Sequence, residues 1–146
     1  MFAFLKLLTN KLNLFYFLFP MVSGFITAAI CPMGGDTGSA VKFRPPGFVF
    51  GIVWPILYIM LGAAWVLSKN RALIYLLLTL SLCAWIVTYS CLGNKKVAAW
   101  VLLINLMLSI LTLVVSQKIS QVLLTPLVCW LLFALIMNTT DVQLSL

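Results

Sequence analysis

Residues 12–31, 47–67, 72–92, 97–116 and 122–138 contain no Lys, Arg, Asp or Glu, and each is close to the ~20 residues that an α-helix needs to cross a hydrocarbon core. Inside lipid a segment must satisfy its own backbone hydrogen bonds, which selects α-helices. The sequence therefore predicts an all-α membrane protein, a five-transmembrane-helix bundle forming a single domain over residues 1–146. The connectors "SKNR", "GNKK" and "QKISQ" are long enough only for antiparallel helical hairpins. The first connector, "PMGGDTGSAVKFRP", is longer and rich in Gly and Pro, and reads as a loop or flap over one membrane face. The N-terminal "MFAFLKLLTNK" and the apolar run after it read as a first span rather than a cleaved leader, because the run is of span length and no A-x-A-like site follows.

Composition narrows the chemistry. The chain is 64% hydrophobic and 8% charged, with nine Lys/Arg, two Asp, no Glu and no His. The basic residues are scattered, whereas nucleic-acid binding needs a concentrated cationic stripe, so no nucleic-acid partner is expected and the basic excess suits anionic lipid headgroups. Lys6, Lys11, Lys69, Arg71 and Lys118 fall on one side of the predicted bundle and Lys42, Arg44, Lys95 and Lys96 on the other. This near-tie gives no orientation by the positive-inside rule. Cys31, Cys83, Cys91 and Cys129 have neither CxxC spacing nor His partners, so no metal site is expected and the four read as buried, inert thiols. No predicted span carries an ionisable group of the kind that a proton-coupled exporter needs.

The most informative stretch is "FRPPGFVFGIVWPILYIMLG", residues 43–62. Pro45 and Pro46 suit a helix start, and Phe50, Trp54 and Tyr58 then recur every four residues along one helix face. Gly51 and Gly62 leave room for close approach of a helix or a flat ligand. Pro55 predicts a local bend, since its ring crowds the carbonyl of Gly51. The aromatics are either core and interface residues or a pocket wall. Trp65 and Trp100, near span ends, read as interfacial belt residues, whereas Trp85 and Trp130 lie deeper and must face protein or a buried ligand. In the fifth span Trp130, Ala134 and Asn138 share a face with Phe133 beside it; Asn138 is either a helix-end residue or a pocket residue.

These two runs resemble the translocator protein family, also called tryptophan-rich sensory proteins or peripheral-type benzodiazepine receptors. The first matches its signature of an aromatic and two prolines before V-F-G-x-V-W-x-x-L-Y. The second, "PLVCWLLFALIMN", is similar to its fifth-span pattern at Pro126, Trp130, Phe133, Ala134 and Asn138. The resemblance implies five membrane helices, a homodimer, and a pocket for porphyrins or, in animals, cholesterol and synthetic drug ligands. It implies a ligand site made by Phe43, Pro45, Trp54, Tyr58, Trp85, Trp130, Phe133, Ala134 and Asn138, with porphyrin or haem as ligand, no required cofactor, and the first loop as a lid.

This chain departs from the family pattern at Gly34, Gly35, Ala40 and Val41, where the family loop carries Trp-Tyr and Lys-Pro, and at Phe43, Leu82 and Leu127, which replace a Trp, an Asn and a Tyr. Thr139 and Gln143 stand where the animal sterol motif needs a Tyr and a basic residue, which argues against cholesterol. Two functions follow. One is binding, with transport, of tetrapyrroles or similar apolar ligands. The alternative is light- and oxygen-dependent degradation of protoporphyrin, with Trp54 and Trp130 as the participating residues; without carboxylate or imidazole in the spans, the porphyrin's own photochemistry is the reaction such a site permits.

Overall fold

The computed structural model describes residues 2–32, 42, 45 and 47–145. A short helix α1 (Phe2–Leu7), which the sequence reading did not separate, precedes α2 (Lys11–Ile30). Asn10 marks the boundary by capping α2, its side-chain oxygen accepting from the Leu12 amide at 2.9 Å, the bond that an N-cap Asn is suited to make. Helix α3 (Gly47–Leu67) runs unbroken through Pro55. A 3₁₀ turn at Lys69–Arg71 leads into α4 (Ala72–Ile86), which continues as a π-helical turn, Val87–Cys91. Gly93, at φ +63°, takes the left-handed conformation that reverses the chain, one that a residue with a Cβ resists. Asn94 then caps α5 (Lys95–Val115) by accepting from the Val97 amide at 3.1 Å, and α6 (Lys118–Ser145) completes the chain.

Among the described residues five helices are long and apolar enough to span a membrane: Lys11–Ile30, Phe48–Leu67, Lys69–Cys91, Lys95–Val115 and Lys118–Leu144. They close into a ring in which α3 packs on α2 and α6, α5 packs on α6 and α4, and α4 packs on α2. Their outer faces are apolar, with Val22, Ile26, Ile52, Ile56, Leu73, Leu77, Ile104, Met107, Val122 and Leu132 all exposed. In water such a surface would drive association; against lipid tails it is matched. The protein is a multi-pass integral membrane protein.

Small residues set the closest approaches. A Cβ on Gly62 would collide with the backbone carbonyl of Phe17, and one on Gly24 would lie 2.5–2.7 Å from the ring of Tyr58. The α2–α3 contact therefore depends on both glycines. Gly51, by contrast, has open space where a Cβ would go. Of the two α3 glycines singled out in the sequence, one is occupied by a helix and one is not.

Three sequence expectations need correction. Trp65 is not a belt residue: it is 2% exposed, stacked between Tyr16 (ring centroids 4.9 Å apart) and Tyr75 (5.9 Å). Position along the helix fixed its depth but not its direction, and its side of α3 faces α2 and α4. Cys31 and Cys91 are not inert thiols but a disulfide with Cα atoms 5.1 Å apart, and Cys129 is exposed rather than buried. The fifth span does not stop near Asn138, because α6 continues through Asp141, a 2%-exposed carboxylate whose charge is matched by Lys95 at 3.1 Å and whose oxygen accepts from Tyr89 at 2.7 Å. That neutralisation removes the reason for the helix to end at the first acidic residue.

At the end of the bundle that holds α1 and the N-terminus of α6, buried hydroxyls close the helix joints. Ser68 donates to Ser120 at 2.9 Å, Ser120 also reaches the Ala64 carbonyl at 3.0 Å, and the Tyr75 and Ser116 hydroxyls lie 2.6 Å apart. Polar atoms cut off from water must find protein partners, and here they lock α3, α4, α5 and α6 to one another.

Candidate functional site

The second aromatic cluster lies toward the opposite end, where α3 and α5 begin and α4 and α6 end. Trp54 of α3 stacks on Trp85 of α4 with centroids 6.2 Å apart and planes 26° from parallel, and meets Trp130 of α6 edge-on at 6.4 Å and 89°. Trp130 also contacts Phe50 (5.7 Å) and Phe133 (5.4 Å). Three helices that are far apart in sequence thus each supply an indole to one cluster.

The four-residue spacing of Phe50, Trp54 and Tyr58 brings only the first two to this cluster's Trp130. Each such step overshoots a full turn by about 40°. Tyr58 accordingly lies toward α2, over Gly24, with its ring 6.4 Å from Phe25; it still touches Trp54 at 5.7 Å. Pro45 is half-buried just before α3. Phe43 lies outside the described residues, as do Gly34, Gly35, Ala40 and Val41. Leu82 and Leu127 are buried in the core, at 3% and 2% exposure, so apolar packing occupies those two positions.

Asn138 and Ala134 are both buried, but they act differently. Asn138 accepts from Trp85 Nε1 at 3.0 Å and donates to the Lys95 carbonyl at 3.2 Å. It fixes the Trp85 ring and joins α4, α5 and α6. Ala134, one turn beyond Trp130, packs in the apolar core.

Trp130 has a second role in the architecture. With Phe133, Pro126 and Cys129 it forms one wall of an apolar groove of about 420 Å³, and Val53, Ile56, Leu57 and Met60 of α3 form the other. Ile56, Pro126 and Cys129 are exposed, so this groove opens on the outside of the bundle. Its lining is almost wholly apolar, the usual character of a ligand site. Trp130 Nε1 is buried and has no hydrogen-bond partner among the described residues, an arrangement that is costly for an indole N–H. The same holds of Trp65 Nε1 and Asn105 Nδ2, neither of which lines the groove.

The groove was not legible in the sequence, because Val53, Ile56 and Met60 carry no signal there and Cys129 read as a buried thiol. The polar group Tyr89, Lys95 and Asp141 at the end of the cluster was also missed. The one available signal was the presence of Asp141 three residues after Asn138, close to the end of an apolar run.

The TspO/MBR family model matches residues 13–142. That range takes in all five long helices and both aromatic runs. No curated protein matches the chain.

Proposed function

The chain belongs to the TspO/MBR family, and from that premise we propose that it binds porphyrin-type tetrapyrroles, or similar flat apolar molecules, between α3 and α6. The observation that carries this reading is Trp130: its ring forms a wall of the open groove and touches the edge of the Trp54–Trp85 stack. Aromatic and aliphatic walls suit a macrocycle, whose faces are apolar and whose ring nitrogens and side-chain carboxyls are acceptors. Access from the side of the bundle suits a ligand that partitions into lipid. It also supports lateral uptake as the first step of transport.

The alternative reading, photo-oxidative degradation of protoporphyrin, draws on the same geometry. Trp54, Trp85 and Trp130 form a connected set with successive centroid distances of 6.2 and 6.4 Å, so oxidisable rings continue inward from the groove. A porphyrin there would supply light absorption, while the protein would position it and limit solvent contact.

Titration of the purified protein with protoporphyrin tests the binding reading. Saturable quenching of Trp fluorescence, reduced by Trp130→Ala, supports it. Linear quenching that is identical in parent and variant would mean that the porphyrin merely partitions into detergent.

A further inference from the structure

Cys31 and Cys91 are 60 residues apart in sequence, yet their sulfurs are bonded. Cys31 ends α2, where the first connector begins, and Cys91 ends the π-helical turn after α4. Both lie at the end of the bundle that carries Tyr89, Lys95, Asn138 and Asp141, above the Trp54–Trp85 stack. The covalent ring closed by this bond contains the first connector, α3 and α4, and therefore two of the three clustered indoles.

We propose that the Cys31–Cys91 disulfide is a reducible staple between the ends of α2 and α4, and that this end of the bundle faces an oxidising compartment. Cys91 lies at the irregular end of α4. There the regular helical bonding gives way: the Leu92 amide reaches back to Val87 at 3.0 Å and the Asn94 amide to Thr88 at 3.0 Å, before Gly93 reverses the chain. Such π segments concentrate at functional positions. The bond from Cys91 ties this irregular end sideways to α2, so breaking it frees two helix ends from each other.

Disulfides persist where the surroundings are oxidising, and Cys91 is exposed whereas Cys31 is 4% exposed. A thiol attacks the Cys91 sulfur and expels the Cys31 thiolate; a second thiol then attacks the mixed disulfide. Two thiols become one disulfide as the protein gains two thiols. Formation is the reverse exchange with a small disulfide or an oxidised dithiol protein as oxidant. The five cations on the α1 side and four on the other leave orientation open, and the disulfide decides it. The face with Lys6, Lys11, Lys69, Arg71 and Lys118 lies on the reducing side.

The experiment uses the full chain with Cys83→Ser and Cys129→Ser, so that the pair alone reports. Cells are acid-quenched and thiols are counted with a mass-tagged maleimide. No tag should add before reduction and two after it, and a membrane-impermeant reductant applied to intact cells should be sufficient. Two tags without reduction, or a need for a permeant reductant, would overturn the proposal. In purified protein, reduction should speed amide exchange at residues 28–31 and 87–94 by ~5-fold or more, as expected when a local tie is released. The Cys31→Ser/Cys91→Ser variant should match the reduced parent; equal exchange in all forms would overturn the staple.

Discussion

Trp85 Nε1 donates to Asn138 Oδ1 at 3.0 Å, and this one bond orients the ring on which Trp54 stacks. Asn138 also donates to the Lys95 carbonyl, which accepts within α5 as well, so loss of Asn138 would leave the buried Trp85 indole N–H without its acceptor. Asn138→Leu should therefore destabilise the protein by about 1–3 kcal/mol, the cost of leaving buried polar groups unsatisfied. Trp85→Phe, which removes the donor but keeps an aromatic ring, should cost less. Thermal unfolding in detergent checks the order, and a smaller effect for Asn138→Leu than for Trp85→Phe would contradict it.

The glycines of α3 give a sharper contrast. Gly62→Ala places a methyl against the Phe17 backbone, which cannot rotate away, so overpacking of about 1–3 kcal/mol is expected. Gly51→Ala meets nothing and should gain up to ~1 kcal/mol of helix propensity. Opposite signs in the shift of Tm are the expected result. A loss of stability in both would mean that Gly51 is also in close contact.

How far the sequence could reach is clear from individual residues. Hydropathy placed the spans because lipid imposes length and apolarity on each helix separately, and Trp54 and Trp130 were placed by the residues flanking them. Trp65 and Tyr58 show the limit: depth follows from position along a helix, but direction depends on which neighbour each face meets, and the ring order α2–α3–α6–α5–α4 is not written in any one segment. The Cys31–Cys91 pair fails for the same reason, since two cysteines 60 residues apart have no spacing signal. The charge-free fifth segment ended at residue 138, short of Asp141, and only the fold reveals Lys95 and Tyr89 beside that carboxylate.

That ion pair is itself testable. Lys95→Met removes one partner of a carboxylate that is 3% exposed, whereas Asp141→Asn keeps an acceptor for the Tyr89 hydroxyl and leaves a lysine that is 41% exposed free to hydrate. Lys95→Met should cost about 1–3 kcal/mol, discounted from a fully buried pair because the lysine reaches solvent, and Asp141→Asn less. Denaturation curves of both variants, read at two salt concentrations, check this asymmetry. A larger loss in Asp141→Asn would overturn it.

Ligand preference follows from the groove and from the end of α6. Protoporphyrin should bind saturably in roughly the micromolar range, about −8 kcal/mol, with Trp130 the most affected fluorophore. Cholesterol should bind far more weakly, since Thr139 and Gln143 supply neither the Tyr nor the cation of the sterol motif, itself a weak signal. Competition of labelled sterol against unlabelled sterol and protoporphyrin separates the two. Submicromolar, competable sterol binding would contradict this expectation.

Catalysis, if the chain performs it, should be confined to light. Degradation of bound protoporphyrin should need oxygen, proceed without added metal, and depend on Trp130 more than on Trp54, because Trp130 lines the groove while Trp54 lies behind it in the stack. Trp130→Phe retains an aromatic wall and removes the unpartnered N–H, so affinity should fall by only ~1 kcal/mol, the scale of one aromatic contact. Turnover should fall much further, because the Trp130 indole is the ring that joins the groove to the Trp54–Trp85 stack. Trp54→Phe interrupts the set one ring further in and should slow turnover by a smaller factor at unchanged affinity. Illuminated turnover of the parent and both variants at matched occupancy decides the matter. Equal rates in all three, or a rate equal to that of free porphyrin in detergent, would leave binding alone as the function of the site.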